Sequence, residues 1–163
     1  LNVEVLDTGL LTATGGRLRR CMMHIEEERV FATYGDGVAS VDIHALLKYH
    51  QSKSAIATLT AVRPPARFGH VEIRNGLVTH FGEKNQSEEG WINGGFFVLE
   101  PGVRKFLLDY ETPFEHYPLV TLAQKSELVA YKHEGFWQPM DTLREKNDLE
   151  EMWKTGRAPW KIW

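Results

Sequence analysis

Val30-Phe31-Ala32-Thr33-Tyr34-Gly35-Asp36-Gly37 is the stretch that decides the fold. A short apolar run follows a charged turn, the pattern of a buried strand, and it stops at a carboxylate set between two glycines. Open α/β sheets bind their ligands at the carboxyl ends of strands. The glycines let the backbone turn sharply and leave room for a ligand. A hard cation such as Mg²⁺ takes one or two carboxylates plus phosphate oxygens, so Asp36 is a candidate metal ligand. On spacing alone the same residues fit an ordinary Asp-Gly turn equally well.

Moving outward, hydrophobic spacing supplies the neighbouring elements. Asp42 is placed to cap a helix in which Ile43, Leu46, Leu47 and His50 share one face. Ala55 to Val62 reads as a central strand, ended by Pro64-Pro65. Two β-rich runs, 71–74 and 77–80, flank Asn75-Gly76, a strong hairpin signal. A polar loop over 84–90 leads to a strand over 96–99. Helices are expected over 17–24, 103–110, 118–124 and 143–153, and strands over 2–6 and 128–132. Alternating strands and helices argue for an α/β layered fold around a mixed sheet, in one domain over 1–163.

The 163 residues suffice for one compact domain with a sizeable core. A formal net charge of −3 offers no basic stripe for nucleic acid. Cys21 is the only cysteine, which excludes an internal disulfide and a thiolate zinc cluster and fits a reducing cytoplasm. No apolar run reaches the ~20 residues that a membrane helix needs. The opening at Leu1, already strand-like, reads as a break within a larger domain.

Other chemistry-bearing residues carry weaker signals. Asp141 lies between a strand and the last helix, where it or Thr142 fits the N-cap. Thr14-Gly15-Gly16-Arg17 stands at a strand–helix junction whose N–H groups suit an anion, with Arg17 able to fork onto a phosphate; a flexible turn is the plainer reading. Glu83-Lys84 closes the hairpin, and Asn93-Gly94-Gly95 opens the next strand; such residues can meet sugar hydroxyls and a phosphate. His44 and His50 are read as helix-surface residues, and Trp137 among the late tryptophans as packing.

Taken in order, these motifs resemble one family. They are Asp7-Thr8-Gly9, Thr14-Gly15-Gly16-Arg17-Leu18, Thr33-Tyr34-Gly35-Asp36-Gly37-Val38, Gly82-Glu83-Lys84, Ile92-Asn93-Gly94-Gly95-Phe96-Phe97-Val98 and Gly135-Phe136-Trp137-Gln138-Pro139-Met140-Asp141-Thr142. The chain is similar along its length to the sugar-phosphate nucleotidyltransferases, in particular the bacterial glucose-1-phosphate cytidylyltransferases. That resemblance implies a Rossmann-like fold with a mostly parallel mixed sheet, and in-line transfer of a cytidylyl group from CTP to glucose 1-phosphate. It implies that Asp36 and Asp141 converge on one Mg²⁺. It places Thr12, Thr14, Gly15, Gly16, Arg17 and Gly35 by the nucleotide, and Glu83, Lys84, Asn93 and Gly94 by the sugar phosphate. A role in supplying CDP-glucose for lipopolysaccharide O-antigen in the cytoplasm is implied as well, and an open strand edge near Val3 to Leu6 points to a homo-oligomer.

Three departures stand out. Asn85 replaces the proline usual after Glu-Lys, and Ser40 replaces an acidic residue. The family's opening glycine-rich, Arg-containing loop is absent, so the chain reads as the C-terminal two-thirds of the fold and is expected to be inactive unless another chain supplies that loop. Two alternatives stay open: another nucleotide or sugar 1-phosphate, or a non-catalytic sugar-nucleotide-binding module.

Overall fold

A computed structural model of the chain describes residues 2–25, 28–65, 69–83 and 90–161. In chain order the elements are α1 (Thr14–His24), β1 (Val30–Thr33), β2 (Gly37–Ala39), α2 (Ile43–Gln51), β3 (Ala57–Val62), β4 (Gly69–Arg74), β5 (Leu77–Glu83) and β6 (Ile92–Leu99). A 3-10 turn (Pro101–Phe106), α3 (Tyr117–Gln124), β7 (Leu128–His133), β8 (Trp137–Pro139) and α4 (Leu143–Lys154) follow. Four strands form one sheet in the order β1-β6-β3-β7, while β2 pairs with β8 and β4 with β5 in two-stranded ribbons. The architecture is α/β with a mixed sheet. The residues group into two compact units, one of 1–32, 47–59 and 97–130, the other of 33–46, 60–96 and 131–163.

In the first unit Phe97, Val98, Leu99, Val103, Leu122 and Ala57 form the centre of the core. Phe97 meets Phe114 edge to face, with ring centroids 5.3 Å apart. Helix α1 docks through two glycines. A Cβ on Gly15 would stand 2.5 Å from the Thr112 carbonyl, and one on Gly16 2.6 Å from Tyr110 backbone atoms. Only glycine allows backbones that close.

In the second unit the hairpin forms as its sequence dictates. Asn75 (φ 49°) and Gly76 (φ 80°) both adopt the left-handed conformation that a two-residue turn of this hand requires. Arg74 pairs with Leu77, and a bulge near Glu72–Ile73 shifts the register. At the start of α2 the Asp42 carboxylate accepts the His44 and Ala45 N–H groups at 2.9 and 3.0 Å, the expected cap.

Four expectations need correction. Residues 2–6 form no strand; Val3 and Val5 are 77% and 89% exposed, and alternation without a paired neighbour stabilises nothing. β1 is half-exposed rather than buried, because it is an edge of its sheet and Phe31 is 47% exposed. The helix expected over 103–110 is only the 3-10 turn, since the Asp109 carboxylate instead accepts the Thr112 and Glu111 N–H groups at 2.7 and 3.1 Å. His50 is buried, not on the surface. The polar loop expected over 84–90 lies outside the described residues except for Gly90.

Candidate active site

Asp36 sits in the turn between β1 and β2 and is exposed. Its position is fixed by the ribbon that follows: β2 and β8 run antiparallel with Gly37 opposite Pro139, Val38 opposite Gln138 and Ala39 opposite Trp137. One step further the Met140 N–H donates to the Asp36 carbonyl at 2.7 Å. Two residues 105 positions apart in sequence (141 less 36) are thereby brought within one residue of direct cross-strand pairing.

Asp141 occupies the step between β8 and α4 and is also exposed. Capping of α4 falls to Thr142, whose hydroxyl accepts the Glu145 N–H at 3.2 Å while Glu145 Oε2 accepts the Thr142 N–H at 2.9 Å. The same Glu145 oxygen takes the Asp141 N–H at 3.0 Å. The cap thus orients the Asp141 backbone without making its carboxylate the capping group. Beside this ribbon a cleft of about 440 Å³ is lined by apolar Val38, Met140, Leu149 and Trp153 together with charged Lys146, Glu150 and Lys154.

Gly35 and Gly37 have different surroundings. No atom lies within 4 Å of a Cβ built on Gly35, whereas one on Gly37 would meet Trp137 Nε1 at 3.8 Å and the Gly94 carbonyl at 4.0 Å. The Asn93-Gly94-Gly95 segment therefore reaches the residue next to Asp36. Asn93 Oδ1 accepts the Gly95 N–H at 3.0 Å, and Asn93 Nδ2 donates to the Tyr34 hydroxyl at 3.4 Å. The Tyr34 ring fills the space where a Gly95 side chain would stand. Asp36, Asp141, Gly35, Asn93 and Gly94 thus belong to one neighbourhood. Glu83 ends β5 in the same unit, and Lys84 lies outside the described residues.

Thr12, Thr14, Gly15, Gly16 and Arg17 belong to the other unit. Gly15 and Gly16 lie inside the first turn of α1, buried in the contacts described above. The Thr14 hydroxyl donates to Glu115 and accepts the Phe114 N–H, both at 2.8 Å. Arg17 donates to the Thr8 hydroxyl at 2.6 Å and to the Leu10 carbonyl at 3.3 Å, which shapes the 8–10 loop. Thr12 packs its methyl toward Gly16 and its hydroxyl toward Gly9.

A family model described as nucleotidyl transferase matches residues 12–142, from Thr12 through both carboxylates. The chain belongs to the nucleotidyl transferase family. It is 50% identical over 163 residues to a glucose-1-phosphate cytidylyltransferase of Salmonella typhimurium, covering 99% of this chain and 63% of that protein. It is 30% identical over 126 residues to a D-glycero-alpha-D-manno-heptose 1-phosphate guanylyltransferase of Aneurinibacillus thermoaerophilus, covering 76% of this chain and 53% of that one. The chain thus spans under two thirds of the length of these curated relatives. Among solved structures it resembles HddC from Yersinia pseudotuberculosis complexed with GMP-PN, with a TM-score of 0.64 at 18% identity over 91% of this chain and 65% of that one. At that identity the likeness speaks for the fold.

Within this nucleotidyl transferase, sequence reasoning missed what Tyr34 and Trp137 do. Trp137 Nε1–H donates to the Gly94 carbonyl at 2.9 Å. An indole four residues before a carboxylate was the available signal, and packing was the plainer reading. Also missed was a buried polar group in the first unit. With its proton on Nε2, His50 donates to Glu100 at 2.9 Å and accepts from the Thr58 hydroxyl at 2.7 Å, while Arg29 Nε donates to the same Glu100 oxygen at 2.6 Å. Burial raises the Glu100 pKa, but these donors outweigh it and hold the carboxyl below its ordinary value. The clue was present: His50 shares the apolar face of its helix with Leu46 and Leu47.

Proposed function

We propose that the protein transfers a cytidylyl group from CTP to glucose 1-phosphate, giving CDP-glucose and pyrophosphate. The observation that supports this reading is the Met140–Asp36 backbone bond, which brings the main chain of Asp36 to within one residue of Asp141, with Gly37 beside the Gly94 carbonyl. The identity to the Salmonella cytidylyltransferase supports the choice of nucleotide and sugar.

A phosphate oxygen of glucose 1-phosphate attacks the α-phosphorus of CTP as the bond to the bridging α–β oxygen breaks, and the electron pair leaves with pyrophosphate. Such a displacement requires positioning and charge neutralisation, and no covalent nucleophile. Two exposed carboxylates form an oxygen-only donor set that fits Mg²⁺, so Asp36 and Asp141 are the residues to hold it. When bound, Mg²⁺ supplies positive charge against the phosphate oxygens. Asn93 and Gly94, with Glu83 and Lys84, take the glucose and its phosphate. Gly35 leaves space for the ligand, and Thr12, Thr14 and Arg17 serve the nucleotide, with Gly15 and Gly16 contributing through the helix they allow to dock.

We place the reaction in the cytoplasm of a bacterium, with its product used for lipopolysaccharide O-antigen. Cys21 is a free thiol, and no helix among the described residues is long and apolar enough to cross a membrane. We also propose a homo-oligomer, since Leu10 and Leu11 are each 92% exposed.

Calorimetric titration of the chain with nucleotide sugars tests the reading. With Mg²⁺ present, CDP-glucose is expected to bind at least about tenfold more tightly than UDP-glucose or dTDP-glucose, a difference of about 1.4 kcal/mol. An equal or reversed order contradicts the choice of CTP. Equal affinity with and without Mg²⁺ favours a non-catalytic binding module.

A further inference from the structure

One peptide unit beside the carboxylates is held at both ends. The plane that joins Gly94 to Gly95 carries the Gly94 carbonyl and the Gly95 N–H. The carbonyl accepts the Trp137 indole N–H at 2.9 Å, and the N–H donates to Asn93 Oδ1 at 3.0 Å. Both flanking residues are glycines, and Gly95 has φ +80°. A peptide between two glycines meets the smallest steric barrier to rotation, because neither neighbour has a Cβ to resist it. Its orientation is therefore open to being set by those two hydrogen bonds, which act beside the packing of Gly94 on Val62 and Thr60.

The two anchors differ in origin. Asn93 is local and moves with the segment. Trp137 lies in β8, whose next residues lead through Met140 to Asp141, and its indole nitrogen sits against Gly37, the residue after Asp36. We propose that Trp137 is a positioning residue: its indole N–H locks the Gly94–Gly95 peptide, and with it the Asn93 side chain, at a fixed place relative to the Asp36–Asp141 pair. This rests on the reading of Asn93 and Gly94 as the sugar-phosphate side. Without the lock the nucleotide half of the ligand keeps its contacts and the glucose half loses its partners.

Trp137→Phe keeps an aromatic ring and removes the donor; Trp137→His restores a ring N–H. Two measurements on the whole chain separate the possible roles. In hydrogen exchange by NMR, Trp137→Phe is expected to speed exchange of the Gly95 amide about tenfold, with Val98 in the same strand unchanged. In calorimetry with Mg²⁺, it is expected to weaken CDP-glucose about tenfold and CMP by less than about twofold, with Trp137→His recovering part of the loss. General destabilisation would weaken both ligands alike and speed exchange at Val98 too. Unchanged exchange at Gly95 overturns the lock whatever binds. Faster exchange at Gly95 with equal losses for CDP-glucose and CMP overturns the positioning of the sugar side. Faster exchange at Gly95, in a chain whose wild type binds CMP and not CDP-glucose, overturns the substrate reading and leaves the lock standing.

Discussion

Replacing Gly94 by alanine adds one methyl group where the packing has no room for it. The new Cβ would lie 2.7 Å from Val62 Cγ1, 3.2 Å from Val62 Cγ2 and 3.0 Å from the Thr60 carbonyl oxygen. Carbon atoms normally approach no closer than about 3.5 Å, so the shortest contact must open by roughly 0.8 Å (3.5 less 2.7). Val62 and Thr60 are 1% and 0% exposed, and neither can retreat into solvent. Either β6 lifts from β3 or Val62 leaves its rotamer, and overpacking of this kind costs about 1–3 kcal/mol. For a chain of this size each kcal/mol moves the thermal midpoint by about 2–4 °C. Gly94→Ala should therefore lower the midpoint by roughly 2–12 °C, read by circular dichroism or calorimetry. It should weaken CDP-glucose as well, because the displaced segment carries Asn93. A wild-type midpoint would refute the reasoning, since it would mean that β6 and β3 are not in the contact that makes glycine obligatory.

Gly35→Ala gives the opposite pattern: with nothing within 4 Å of the new Cβ and no left-handed φ, stability should hold or rise by up to about 1 kcal/mol, while CDP-glucose affinity falls. Unchanged affinity would remove Gly35 from the ligand site. Glu100→Gln removes charged partners from Arg29 and His50. Because the folded Glu100 pKa lies below the ordinary 4.5, its stabilisation is present above that value and is lost as pH falls through the lower, folded one. The gap in thermal midpoint between wild type and Glu100→Gln should thus narrow below pH 4.5, and a constant gap from neutral to acid pH contradicts the network. Thr142→Ala breaks the capping box of α4 and should cost about 1 kcal/mol in urea denaturation, with Asp141→Ala costing less; the reverse order would return the cap to Asp141.

Much of this was legible in the sequence for identifiable reasons. Asn75-Gly76 specifies its turn through backbone conformations that few other pairs adopt, so the hairpin could be read locally. Strand β3 declares itself through a continuous β-rich apolar run ended by Pro64-Pro65, and helices α2 and α4 through apolar residues recurring on one face. Other features depend on partners distant in the chain. β2 and β8 are three residues each, too short for a pattern, and exist because Gly37–Ala39 finds Trp137–Pro139. The glycines at 15 and 16 suggested an anion-binding turn, and the reason for them is the backbone of residues 110–114. Val3 and Val5 alternate like a strand, but alternation records only which faces differ and not whether a neighbour is there to pair. Asp141 and Thr142 were equal candidates for the cap until the Glu145 side chain distinguished them. Asp36 and Asp141 shared no local signal; only motif order, and then the ribbon register, put them together.

On the proposed reading Asp36 and Asp141 act as one metal site. Mg²⁺-dependent binding of CDP-glucose, measured for wild type, Asp36→Asn, Asp141→Asn and the double variant, tests it most directly. If both carboxylates hold the same ion, either substitution removes most of the Mg²⁺ dependence and the double variant is little worse than a single one, a strong departure from additivity. Additive losses, or a single variant that keeps the full Mg²⁺ dependence, would contradict a shared site.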